Sequence, residues 1–212
     1  MPSITRKPKA GPSAQKEATE ASVFAAVESL LTDGARYTEL GVQQIAETAG
    51  IGRSTFYVHF EDKTDLLIRL TGASTSDLFA AADVWLDTDV EDGYGHLEHS
   101  IGEVCRQRRR HHVTLSALAE VAAYDRVVGD FWRQQVDGFA QRLAKKIAAE
   151  KRLGRTAEDL DPKNTAFFLV WGVERALEQQ MLGPAGDDAR LVKAISRAIW
   201  LGIYGRAESL PD

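Results

Sequence analysis

Apolar residues recur at helical spacing from the first third of the chain to its end. Val23, Phe24, Val27, Leu30 and Leu31 form the buried stripe of an amphipathic helix, and Asp33-Gly34 stops it. A short apolar segment with Ile45, Ala46 and Ala49 runs into Gly50-Ile51-Gly52, and a second follows with Phe56 and Phe60 one turn apart. This pattern predicts a helix-turn-helix. Gly50 sits where the first helix must end with φ > 0, and Ile51 plugs the angle between the two helices.

Beyond the turn, Asp62 is expected to cap a helix with Asp65 at its third position, a D-x-x-D form of the capping box. Leu66, Leu67, Leu70, Leu78, Phe79 and Trp85 carry that helix onward, but its middle, Thr71 to Ser76, is poor in helix formers and predicts a bend or fraying. An acidic loop over residues 87–92 separates it from further helices over about 95–110, 111–124, 127–152, 161–183 and 191–205. No strand-like alternation or internal repeat occurs. The predicted fold class is therefore all-α: an N-terminal three-helix helix-turn-helix domain over residues 17–62, then a helical body over 63–208. Residues 1–16, rich in Pro, Gly, Ser and Lys, read as a flexible basic arm, either a solvated tail or a phosphate-contacting extension.

The last helix is apolar on more than one side, through Leu191, Ile195, Ala198, Ile199, Trp200, Leu201 and Ile203. So wide an apolar girth needs a second partner. The last two helices are expected to pair with their copies in a two-fold homodimer, with Gly172, Ala176 and Gly202 permitting close approach.

With Ile45, Ala49, Ile51, Phe56 and Phe60 turned inward, the second helix of the turn would present Arg53, Ser54, Thr55, Tyr57 and His59. All five can donate hydrogen bonds to phosphates or base edges, at the place of a recognition helix. The run I-A-x-x-A-G-I-x-x-x-T-F-Y-x-H-F-x-x-K from Ile45 to Lys63, with Leu66-Leu67 after it, resembles the DNA-binding domain of the TetR family of transcriptional regulators. The resemblance implies that Gln43, Arg53, Ser54, Thr55, Tyr57 and His59 face double-stranded operator DNA. It also implies that Lys63 meets a phosphate from the start of the next helix. Gly41 and Gly52 stand where the family often has Ser or Thr, a change of only a few tenths of a kcal/mol at an N-cap. Towards the C-terminus, V-E-R-A-L from Val173 and A-I-W-L-G-I-Y-G from Ala198 look like the last two helices of the EthR-like branch. That likeness implies that the body over 63–208 is a helical ligand-binding and dimerisation domain, with a cavity for a small hydrophobic effector. Its expected lining is Val104, Trp132, Phe139, Phe167, Val170, Trp171 and Trp200, mainly apolar and suited to an elongated lipophilic molecule; an aromatic at helical spacing also serves as plain core.

Charge changes this picture in one respect. The net charge of −5 over 212 residues argues against coating nucleic acid by charge alone. Between Leu40 and Lys63, Arg53 and Lys63 are outnumbered by Glu47, Glu61 and Asp62. One copy should bind weakly, and useful affinity would need two. Arg106 and Arg108-Arg109-Arg110 complement a helix C-terminus or form a second basic patch. His96, His99, His111 and His112 surround the single cysteine, Cys105, and are expected to be solvated or capping, with no metal. One cysteine excludes an internal disulfide and fits a reducing cytoplasm. No apolar run approaches the roughly 20 residues that span a bilayer, so no membrane partner is expected. Without a phosphate loop, nucleophile elbow or H-E-x-x-H motif, neither enzymatic activity nor a cofactor is indicated. The function expected is a ligand-responsive, DNA-binding transcriptional repressor in the cytoplasm, bound to a palindromic operator as a homodimer and released by a small hydrophobic effector. The alternative is a DNA-binding helical protein that senses no ligand.

Overall fold

A computed structural model describes residues 12–89, 92–182 and 188–205. Among these residues the chain is helical throughout, without a strand: α1 (Pro12–Thr32), α2 (Val42–Thr48), α3 (Arg53–His59), α4 (Lys63–Leu86), α5 (Gly93–Arg110), α6 (His112–Ala122), α7 (Arg126–Arg152), α8 (Pro162–Leu182) and α9 (Asp188–Tyr204). A 3-10 turn over Tyr37–Glu39 precedes α2. The all-α expectation holds. Residues 1–11 of the expected arm, and parts of the loops before α5 and α9, lie outside the described residues. Residues 12–16 do not belong to an arm; they are the first turn of α1. Apolar periodicity could not show this, because that turn is held by polar neighbours one turn apart. Ser13 Oγ donates to Glu17 Oε1 at 2.9 Å, and Lys16 faces Glu20 at 3.9 Å.

The chain divides into two compact units, one ending at Leu70 and the other starting at Thr71. The sequence placed this division at Lys63. The first two turns of α4 stay with the first unit, where Leu66 and Leu67 are fully buried, as are Val23, Val27, Ile45 and Phe56. Gly50, at φ +70°, ends α2. There the Ile51 amide donates to Ala46 and the Gly50 amide to Glu47, which satisfies carbonyls the helix would otherwise leave open. The start of α4 is capped as expected: the Asp65 amide donates to Asp62 Oδ1 at 2.8 Å, and Asp65 Oδ2 accepts from the Glu61 amide at 3.1 Å.

In the second unit α5 lies against α9, and α7 against both α6 and α8. Leu97, Leu118, Ile147, Leu177 and Ile203 are its largest fully buried side chains. The fraying expected at Thr71 to Ser76 does not occur: α4 runs unbroken through it. Thr71, Ser74 and Thr75 are buried and their hydroxyls have internal partners: Thr75 Oγ1 donates to the Gly72 carbonyl at 3.0 Å, and Ser74 Oγ lies 3.1 Å from His111 Nδ1. Tertiary burial thus outweighs the weak helix propensity of this stretch. No described helix is long and apolar enough to cross a membrane.

Candidate functional site

The first candidate site lies on α2 and α3. Phe56 and Phe60, the latter at the C-cap of α3, turn one side of that helix into the core, with ring centroids 5.3 Å apart. Arg53, Ser54, Tyr57 and Val58 are exposed on the other side, and Gln43 is exposed on α2. Spacings of one, four and five residues place the α3 group on one face of the helix. The Arg53 guanidinium lies 5.8 Å from the Tyr57 ring centre, and Gln43 Nε2 donates to Glu47 Oε1 at 2.5 Å. Val58 is 79% exposed and was not singled out from the sequence, where it sits between Tyr57 and His59 and breaks no pattern.

Three of the expected DNA-facing residues are placed differently. Thr55 is half-buried at the edge of the face. His59 turns inward, with Nδ1 3.5 Å from Glu20 Oε1 and little exposure. Lys63 does not extend to solvent; its Nζ donates to the carbonyls of Leu40 (2.6 Å), Tyr37 (3.1 Å) and Thr38 (3.3 Å). Burial pushes its ammonium below the usual lysine range. These carbonyls end the 3-10 turn before α2, so Lys63 ties the start of α4 to the entrance of the reading pair. Arg69 does the same for the exit: it bonds Glu20 Oε2 at 2.5 Å, donates to the His59 carbonyl at 2.6 Å and lies 4.6 Å from the Phe60 ring centre. Burial pushes the Glu20 carboxyl up, but Arg69, His59 and Lys16 together outweigh this and hold it below its ordinary value.

The second candidate site is a narrow cavity of about 80 Å³ inside the second unit. Of the seven expected lining residues, Val104, Trp132, Phe139 and Val170 are on its wall. The other three are not. Phe167 is exposed on the outside of α8. Trp171 points to α7, where Nε1 donates to Asp137 Oδ1 at 3.0 Å. Trp200 is core: its ring centre lies 4.4 Å from that of Tyr204 in a tilted contact, it meets Tyr94 edge-on, and it lies so close to Gly93 that a Cβ there would sit 3.0 Å from its ring. The wall also takes in Leu78, Phe79, Ala82 and Trp85 from α4, Ser100 and Arg108 from α5 and Glu174 from α8. Arg108 is the chief surprise. The sequence read it as a solvated charge at a helix end, yet it is buried against Glu174, while Arg109 pairs with Asp188. Only Arg110 of the three is exposed. The histidines and Cys105 do not converge, and no metal-binding group of three side chains occurs among the described residues.

A three-helix head with an exposed polar reading face, followed by a helical body with an apolar cavity, is the arrangement that the family comparisons match. The model of bacterial regulatory proteins of the tetR family covers residues 25–70, and that of the C-terminal domain of the transcriptional regulator EthR covers residues 97–205, half of the chain. The chain belongs to the TetR family, in its EthR-like branch. This regulator is 28% identical to the HTH-type transcriptional regulator EthR of Mycolicibacterium smegmatis over 214 aligned positions, spanning 96% of this chain and 95% of the relative. Among solved structures it is similar to SmeT, the repressor of the Stenotrophomonas maltophilia multidrug efflux pump SmeDEF, in its triclosan complex. There the TM-score is 0.71 at 20% identity over 92% of this chain and 95% of SmeT. It is also similar to FadR of Bacillus subtilis in complex with stearoyl-CoA, with a TM-score of 0.69 at 16% identity over 86% of this chain and 98% of FadR. Family and relatives make it a DNA-binding transcriptional regulator, not an enzyme.

Proposed function

We propose that this regulator is a cytoplasmic repressor that binds a palindromic operator as a homodimer and leaves it when a small hydrophobic effector enters the body. The observation that carries the reading is the exposed group Gln43, Arg53, Ser54, Tyr57 and Val58 on a helix-turn-helix whose core is otherwise closed. Arg53 and Gln43 have the chemistry to read base edges, Val58 a thymine methyl, and the Tyr57 and Ser54 hydroxyls phosphate oxygens. Thr55 adds a hydroxyl at the rim. Lys63 and His59 act through the helices they anchor.

Dimerisation is assigned to α8 and α9. On α8, Phe168, Gly172 and Arg175 share one exposed stripe, and a Cβ at Gly172 would meet nothing. On α9, Ala194, Ala198 and Gly202 are exposed beside Leu201. Small residues flanking an aromatic allow two such helix pairs to approach closely around a two-fold axis. Two reading helices would then enter successive major grooves about 34 to 36 Å apart, or a multiple of that spacing.

Triclosan, bound to SmeT, is largely apolar, and stearoyl-CoA, bound to FadR, carries a long apolar acyl chain on a polar CoA; the cavity lined by Val104, Trp132, Phe139 and Val170 suits apolar groups of this kind. Four wall residues, Leu78, Phe79, Ala82 and Trp85, belong to α4, which begins in the head, so a ligand that moves them acts on a helix shared with the DNA-binding unit. DNA and effector would oppose each other by linkage, with a coupling of about 1 to 3 kcal/mol. One observation favours the reading without a ligand: about 80 Å³ is far below the roughly 300 to 1,000 Å³ of ordinary ligand pockets. A sensing cavity must therefore open by rotation of Phe79, Trp132 and Phe139. Selection of duplexes from a random pool tests the DNA side; symmetric half-sites are expected, and equal recovery of all sequences would remove the specific-regulator reading. Operator release by a hydrophobic compound then separates sensor from non-sensor.

A further inference from the structure

The cavity is apolar except at two places on its wall. At one end Arg108 and Glu174, with side chains 7% and 13% exposed, are joined by a single hydrogen bond of 3.3 Å from Nη2 to Oε1. Ser100 lies eight residues before Arg108 on the same face of α5, about 12 Å of helix rise away. It is only 2% exposed, and its hydroxyl has no hydrogen-bond partner. A buried hydroxyl without a partner is costly and uncommon, and here it faces the cavity. The ion pair is also under-used: a guanidinium offers five N–H donors and a carboxylate several lone pairs, yet one bond joins them. Burial holds the Glu174 carboxyl above its ordinary range, with Glu178 adding to the effect and Arg108 opposing it.

Building on the effector-binding reading above, we propose that the Arg108–Glu174 pair recognises an uncharged ligand head that both donates and accepts hydrogen bonds, such as a carboxamide. The ligand's apolar chain runs past Val104 towards a second polar contact at Ser100. The pair is neutral as a whole, and its walls have low polarity. An amide can donate to the Glu174 carboxylate while its carbonyl accepts from Arg108. A carboxylate head would have no donor for Glu174 and would repel it; an ammonium head would repel Arg108. In a poorly solvated wall neither repulsion is screened. A hydroxyl or carbonyl further along the chain would give the Ser100 hydroxyl its missing partner.

The test is calorimetric titration and thermal shift of the full chain with octanamide, octanoate, octylamine and octanamide bearing a terminal hydroxyl, at about pH 8 where the acid and amine are charged. Octanamide should bind at least roughly tenfold tighter than either charged probe, and the terminal hydroxyl should add several-fold more. Glu174→Gln should reverse the order, because the freed Arg108 then accepts octanoate. Ser100→Ala should leave octanamide unchanged, keep or raise the melting temperature of the free protein, and abolish the gain from the terminal hydroxyl. If the charged probes match octanamide, or Glu174→Gln leaves the order as it was, the proposal is overturned while effector binding stands. If Glu174→Gln does not fold, the wild-type order and the Ser100→Ala comparison still decide. If none of the four probes binds, the effector-binding reading itself is what fails.

Discussion

Tyr37 and Lys63 hold each other by both ends: Tyr37 Oη donates to the Lys63 carbonyl at 2.6 Å, and Lys63 Nζ donates to the Tyr37 carbonyl at 3.1 Å. The ammonium also lies 5.4 Å from the tyrosine ring centre. This reciprocal clasp fixes the start of α4 against the turn that leads into α2. The lysine of the family motif thus braces the reading pair, where the resemblance alone implies a phosphate contact.

The two roles separate by salt dependence. Lys63→Met should destabilise the protein by about 1 to 3 kcal/mol, since it removes charged donors from three carbonyls. It should weaken DNA binding on all sequences while the slope of log K against log salt stays put. A phosphate contact would instead flatten that slope by about 0.9. Filter binding at several salt concentrations reads the difference.

Arg53 and Tyr57 should fail in different ways. Arg53→Ala is expected to relax preference at one base position, at about 1 to 3 kcal/mol. Tyr57→Phe should lower affinity evenly across operator variants and leave the preferred sequence as it was. A duplex library scored with each variant distinguishes them; identical changes in both profiles would defeat the assignment of roles.

Gly50 has φ +70° and open space where a Cβ would be. The strain of Gly50→Ala is therefore purely conformational, about 1 to 2 kcal/mol. Gly172, helical and also facing open space, is the control: Gly172→Ala should keep or raise the stability of the monomer. Chemical denaturation of the two variants checks the contrast.

Glu20 sets a pH dependence for the head. Arg69 and His59 hold its carboxyl below the usual range despite burial. A depressed folded-state value means that the contribution is complete above the unfolded carboxylate's titration, at about pH 4.3, and is lost as pH falls through the folded value. Glu20→Gln should therefore be less stable than wild type at neutral pH, with the gap closing below about pH 4. A gap that stays constant to low pH would show that the charge of Glu20 is irrelevant.

How much of this was legible beforehand depends on where the physics sits. The head could be read because its signals are local: a glycine at φ > 0, an isoleucine after it, and Asp62 and Asp65 three apart. The start of α1 could not, because Ser13–Glu17 and Lys16–Glu20 stabilise it without an apolar stripe. In the body, helix spacing marks which residues face inward but not which inward faces leave a gap. Phe167, Val170 and Trp171 share α8, yet only Val170 reaches the cavity, because Trp171 finds Asp137 on α7. Arg108 looked solvated for the same reason. Its partner lies 66 residues away, and only packing of α5 near α8 brings them together.

Phe168 gives the sharpest test of the dimer. It is 74% exposed on α8, next to Phe167, which is 55% exposed. If α8 and α9 form the two-fold interface, Phe168→Glu places two carboxylates close together in an apolar seam, a mechanism that splits interfaces. Sedimentation should then show a monomer at concentrations where wild type is a dimer. The monomer should unfold at a similar denaturant midpoint when the wild type is diluted below its own dissociation constant. Because one reading head carries few basic groups, operator affinity should fall by orders of magnitude while non-specific affinity changes little. If the variant remains dimeric, the interface lies elsewhere. If it is monomeric and still binds operator at full affinity, two heads are not needed and the repressor geometry proposed above is wrong.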